Sequence, residues 1–237
     1  MNVLVACEES QAVTIELRKL GHRAFSCDLQ ECSGGHPEWH IQGDCLPLLN
    51  GNCTFTTADT HTHTQRGRWD LLIAFPPCTF LSNAGACRLY PRKGELNRER
   101  YKKGLAGKEF FMKFLNADCD RIAVENPVPT TIYQMPPPTQ EIQPWMFGHP
   151  VTKATRLWLR GLPPLQPTKI VEPEAPYLPS GTSRKDTSKY GRAFRTGKDA
   201  VQRAKTFYGV AVAMATQWTA EEFHTFVGEY QEQMSLF

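Results

Sequence analysis

The sequence has no apolar run approaching the ~20 residues that a membrane helix needs. Its opening, MNVLVACEES, carries acids where an export signal would carry a basic segment. These two absences predict a soluble, cytoplasmic protein with no membrane partner. There is no internal repeat, and there is no large excess of one charge: 27 Lys+Arg against 24 Asp+Glu leave a formal net charge of +3. That balance names no partner by itself, so the distribution of charge has to. Compact CxxC zinc patterns are also missing. The eight cysteines, in a chain of 237 residues without an export signal, read as reduced thiols and not as a disulfide framework. Cys27, Cys32, His36, His40 and Cys45 then belong to an ordinary loop turned by Gly34, Gly35 and Pro37, and no metal is expected.

What is present is a globular composition, 41% hydrophobic, enough for one full core. NVLVA (residues 2–6) is a β-branched run, and SQAVTIELRKLGH spaces Val13, Leu17 and Leu20 for one helix face before Gly21 stops the helix. RAFSCDL then reads as a second strand ending in Asp28. Strand, helix and strand in so short a span make a βαβ unit, hence a parallel sheet with a ligand at its carboxyl edge. WDLLIAF, RIAVEN and ATRLWLRGL fit as further strands, and GKEFFMKFLNAD as an amphipathic helix with Phe110, Phe111, Phe114 and Leu115 inward. The pattern predicts the α/β class, with a doubly wound, mostly parallel sheet.

After Leu162 the texture changes. Residues 163–205 are rich in Pro, Gly and Ser and read as an extended segment in place of a packed layer, and residues 206–237 as helices in two pieces divided near Trp218 and Thr219. Basic residues gather in two places. One run holds Arg88, Arg92, Lys93, Arg98, Arg100, Lys102 and Lys103, and the other includes Arg184, Lys185, Arg192 and Arg195. Either the two runs contact phosphates or they are solvated surface.

The stretch FPPCTFLSNAG (residues 75–85) closes a buried run with two prolines and then presents a cysteine. Proline cannot donate to a ladder, so Pro76 and Pro77 end pairing and stiffen the turn that carries Cys78. That turn is a structural stop or a mount for a nucleophile. Asp28 and Asp44 fall where acids of this sheet class hold a ribose and an adenine, although strand-end acids are also common turn formers.

DLLIAFPPCTFLSNAG resembles the proline-cysteine motif of cytosine-5 methyltransferases, and VENP resembles their glutamate-asparagine motif. The likeness runs over about residues 1–160, and a Gly-centred helix start, FYGVAVAMA, resembles the family's last motif. The resemblance implies a Rossmann-like methyltransferase fold using S-adenosyl-L-methionine, with residues 1–162 as the catalytic core. It implies Cys78 as the thiolate adding to carbon 6, Glu125 holding the ring's N3 edge, Asn126 fixing that strand end, and Arg156 orienting the glutamate or the base. Cofactor contacts would come from Cys7, Glu8, Glu9, Asp28, Asp44, Phe75, Pro77 and Gly209.

The chain departs from the family at four places. The first turn, ACEESQA, lacks glycine; Thr79 follows the cysteine; Thr152 and Ala154 precede Arg156; and residues 163–203 occupy the place of a target-recognition domain. With so little material to carry side chains to base edges, the expected partner is DNA, duplex or single-stranded, methylated with little sequence selectivity. A free cytosine nucleotide is the smaller alternative substrate. An inactive nucleotide- or nucleic-acid-binding protein of the same fold is the competing class, motivated by Glu8 and Glu9.

Overall fold

The computed structural model describes residues 1–92, 94–173 and 205–220. Lys93, Arg184, Lys185, Arg192, Arg195 and the second tail piece therefore lie outside the described residues. The chain is α/β. In spatial order a mixed seven-stranded sheet holds β3 (His40–Gln42), β2 (Arg23–Asp28), β1 (Asn2–Ala6), β6 (Leu71–Ala74), β7 (Ile122–Pro127), β9 (Thr155–Arg160) and β8 (Gln140–Ile142), and β4 (Cys53–Thr56) and β5 (Thr62–Gln65) form a separate antiparallel pair.

The opening βαβ unit is as expected. β1 (Asn2–Ala6) and β2 (Arg23–Asp28) pair in parallel around α1 (Ala12–Lys19). Val13 and Leu17 are buried under α1, but Leu20 is 46% exposed, because the helix stops at Lys19 and Gly21 takes φ 82. A short β3 (His40–Gln42) extends this edge in parallel. The β4 (Cys53–Thr56) and β5 (Thr62–Gln65) hairpin follows. β6 (Leu71–Ala74) then returns to the other side of β1. The order of strands therefore reverses between β1 and β6, and sheets of this kind bind ligands outside the carboxyl ends of strands at such a point.

A four-residue helix α2 (Ala86–Leu89) leads to α3 (Arg98–Leu115), whose first turn is capped by the Asn97 side chain accepting from the Arg100 N–H. Phe111 and Phe114 are fully buried, with Phe110 and Leu115 at the margin. β7 (Ile122–Pro127) joins β6 in parallel. β9 (Thr155–Arg160) runs against both β7 and β8 (Gln140–Ile142), so it is the one reversed strand.

The two core layers follow the alternation along the strands. Leu4, Leu72, Val124 and Trp158 pack with Phe111 and Phe114 on one face. Val3, Ile73, Ala123 and Leu157 pack on the other against α1 and a last helix, α4 (Tyr208–Thr219). The described start of the segment after Leu162, residues 163–173, is an extended strap fastened to its neighbours. Leu165 is buried, its N–H and C=O are both held by Gln140, and the Pro163 carbonyl accepts from the Trp218 indole. The first tail helix ends at Thr219, where the sequence divides it. Among the described residues, no helix is long and apolar enough to cross a membrane.

Candidate functional site

Cys78 sits in the turn after β6, with Pro76 buried and Pro77 exposed. The Cys78 carbonyl accepts from the N–H groups of Leu81 (3.0 Å) and Ser82 (2.9 Å), which closes the turn. Asn126, buried at the end of β7, donates its Nδ2 to the Pro76 carbonyl at 3.1 Å. Beyond it, Asn83 N–H bonds Val128 O and Thr130 N–H bonds Leu81 O, so the two loops after β6 and β7 are fastened to each other. The bond to Pro76 fixes the amide's orientation, because a flipped amide would set two oxygens together. Asn126 Oδ1 is then a buried acceptor with no hydrogen-bond partner among the described residues. Such an atom is costly unless a donor reaches it.

Glu125 lies on the opposite face from Asn126, in line with Leu157 across the ladder. It lines a small pocket with Lys153, Lys205, Phe207, Val210 and Met214. Burial pushes the Glu125 carboxyl above its ordinary range, opposed by the Lys153 ammonium. Burial, then the Glu125 charge, also pushes the Cys78 thiol up, and Lys153 again opposes. Cys78, Glu125 and Lys153 therefore share one electrostatic environment at the ends of β6 and β7. In it the carboxyl holds a proton more tightly than usual, and the ammonium favours the thiolate.

One of the two expected roles of Arg156, orienting the glutamate, needs correction. The register pairs it with Asn126, which puts it on the face away from Glu125, and its Nε donates to Glu141 at 3.1 Å. The cation beside the glutamate is Lys153. The sequence analysis passed over Lys153, since only the antiparallel return of β9 brings the loop before it back to the end of β7. The basic residue just before a strand that pairs with the Glu-Asn strand was the available signal.

The cofactor candidates divide as well. Cys7 (φ 59) and Gln11 (φ 57) adopt the left-handed backbone that glycine usually supplies, so the glycine-free turn still turns. Gln11 is fully buried and exchanges hydrogen bonds with His36 through its amide oxygen and nitrogen. The Cys7 thiol lies 3.8 Å from that of Cys45, and that hydrogen bond, then burial, holds it far above its ordinary range. Glu9 is half-buried and its carbonyl accepts from Ser33 N–H.

Glu8 is corrected from cofactor contact to helix cap. Its carboxyl accepts from Val13 N–H (2.7 Å), Thr14 N–H (3.3 Å) and the Thr14 hydroxyl (2.7 Å). It thereby satisfies two of the first-turn donors of α1 that would otherwise attract a ligand anion. Burial outweighs those bonds and pushes the carboxyl up to about 7. The folded state thus binds this proton more tightly than the unfolded chain. Stability is highest below the ordinary value of 4.5 and falls as pH rises towards 7. Glu8→Gln, which cannot ionise, is expected to lose that dependence. Relative to the variant, wild type should weaken by about 3 kcal/mol between acid and about pH 8. Urea denaturation across pH reads this, and parallel curves would refute it.

Asp28 Oδ1 accepts from Gln30 N–H and Asp44 Oδ1 from Leu46 N–H, so each acid also shapes its own turn beside the switch point. Phe75 continues β6 by donating its N–H to Ala6 O. Gly209 is explained by packing: a Cβ there would lie 1.9 Å from the Phe147 carbonyl oxygen, and its N–H donates to His149 Nε2. The side chain of His40 uses both ring nitrogens within the fold, on Ser26 Oγ and Gln30 O. Arg88 is exposed on α2, and Arg92, also exposed, pairs with Glu95 at 3.7 Å. Compared with known proteins, the chain matches no family model and no curated protein.

Proposed function

We propose that this protein is an S-adenosyl-L-methionine-dependent methyltransferase acting on carbon 5 of cytosine in DNA, with a Rossmann-like methyltransferase fold. One observation carries the reading: Cys78 and Glu125 stand at the ends of neighbouring strands beside the switch point, under the influence of the same Lys153, with Asn126 tying their loops together.

Carbon 5 of cytosine is a poor nucleophile. A thiolate bonded to carbon 6 makes the ring enamine-like and lets carbon 5 attack an electrophile. Cys78 supplies that thiolate, and Lys153 lowers the cost of its charge. Glu125, protonated more readily than an ordinary carboxyl, donates to ring N3 and draws electrons from the carbon under attack. When carbon 5 later gives its proton to solvent water, the electrons of that bond re-form the double bond between carbon 5 and carbon 6, the Cys78–carbon 6 bond breaks to regenerate the thiolate, and N3 returns its proton to Glu125.

The crevice residues fit the cofactor. Asp28 and Asp44 offer acceptors for hydroxyl and amino groups, and Cys7 and Phe75 border the same strand ends. Because Glu8 already fills the α1 N-terminus, the crevice favours a ligand without phosphate, which S-adenosyl-L-methionine is. When bound, that group supplies a methyl sulfonium as electrophile.

Titration calorimetry with S-adenosyl-L-methionine should show saturable binding, and label from its methyl group should pass to cytosine in DNA. Absence of binding at millimolar ligand would sink the proposal and favour the inactive binding protein.

A further inference from the structure

We infer that the nucleic acid taken by the Cys78 face is single-stranded, held by aromatic planes set among cations along α2 and the first half of α3. The inference rests on the DNA methyltransferase reading for the identity of the target base, and on the surface itself for the form of the strand.

Residues 86–108 contain eight Lys and Arg against two Asp and Glu, a local excess of six on a chain whose total is only +3. The excess adjoins the Cys78 turn. Arg100 donates to the Thr79 carbonyl at 2.7 Å, and Gly85 leaves room for that guanidinium, since a Cβ there would lie 2.5 Å from Nη2. Phe80, two residues after Cys78 and partly exposed, has Arg100 at 5.0 Å and Lys103 at 5.7 Å from its ring centre. Tyr90, at the end of α2, is 41% exposed. Arg88 and Arg92 flank Tyr90 in the chain and are both exposed.

Aromatic faces interleaved with cations suit a strand whose bases are already unstacked, because stacking tolerates any base while the cations follow the backbone. A paired duplex hides its base faces, so Phe80 and Tyr90 would have nothing to stack on until a base was turned out. On a single strand no such cost arises, and a cytosine neighbouring the stacked base comes to Cys78 directly.

The test is fluorescence anisotropy with the full chain, using a labelled cytosine-containing oligonucleotide of about 16 nucleotides and its duplex. The single strand should bind at least about tenfold more tightly. Phe80→Ala should weaken the single strand about tenfold, and Tyr90→Ala should weaken it similarly. Lys102→Glu should flatten the salt dependence between about 50 and 200 mM. Equal or tighter duplex binding, or indifference to both aromatic substitutions, overturns the inference. Methyl transfer measured on both forms separates the two proposals. Transfer to duplex with equal binding leaves the function standing and removes this inference. Selective single-strand binding with no transfer to either form does the reverse.

Discussion

Cys78→Ser is expected to abolish covalent trapping on DNA containing 5-fluorocytosine, and to lower methyl transfer by at least about three orders of magnitude. Fluorine at carbon 5 cannot leave as the proton does, so the thiolate stays bonded to carbon 6 and the complex survives denaturation. A serine hydroxyl is a far weaker acid than a thiol, and a lysine that eases formation of a thiolate cannot yield an alkoxide. The substitution should not disturb the turn, whose closure depends on the carbonyl of residue 78 and on Asn126 holding Pro76, neither of which involves the sulfur. Folding stability and S-adenosyl-L-methionine affinity should therefore match wild type. An adduct formed equally by Cys78→Ser would remove this residue from the mechanism.

Gly209→Ala is expected to cost about 3 kcal/mol of stability, at the upper end for inserting a methyl group where none fits. The obstacle is backbone: the added Cβ would meet the Phe147 carbonyl oxygen at 1.9 Å, and no rotamer change relieves that. To make room, α4 would have to lift, and α4 contributes Val210, Ala211, Met214 and Trp218 to the core layer it shares with α1. The Gly209 N–H bond to His149 would lengthen with it. At roughly 2–4 °C per kcal/mol for a chain of this size, the melting midpoint should drop by about 10 °C. Tyr208→Ala, one residue earlier and 62% exposed, is the control and should change little. Wild-type stability in Gly209→Ala would mean the close approach is not a constraint.

Much of the sheet was legible because its strands are buried on both faces and read as unbroken apolar runs: β1, β2, β6 and the first half of β7. The strands that escaped notice lack that signature. β3 and β8 are three residues long, and β3 buries a histidine. The β4-β5 hairpin alternates Thr and His with a single buried hydrophobic, Phe55, so its sequence looks like a polar loop. The places of Cys78, Glu125 and Asn126 in the fold were legible because each stands at or beside the end of a legible strand. Arg156 could not be placed, because which face it occupies depends on the register of β9 against β7, and one step along a strand exchanges faces. Lys153 required that same pairing. Glu8 looked like an intrusion in a cofactor turn, whereas its partners are the backbone donors of the helix that follows.

The fastening between the loops after β6 and β7 also bears on how the chain reaches its native state. Asn126 and Pro76 are 50 residues apart in sequence, with α2 and the whole of α3 between them. The turn around Cys78 closes locally through Leu81 and Ser82, whereas its attachment to Asn126 closes a loop of 50 residues and carries the entropy cost of that long closure. Until β7 docks beside β6, no Glu125 or Lys153 stands near the sulfur, and it is one ordinary thiol among eight. The electrostatic environment of the sulfur is in this way a property of the finished molecule, assembled only when the two strand ends stand side by side.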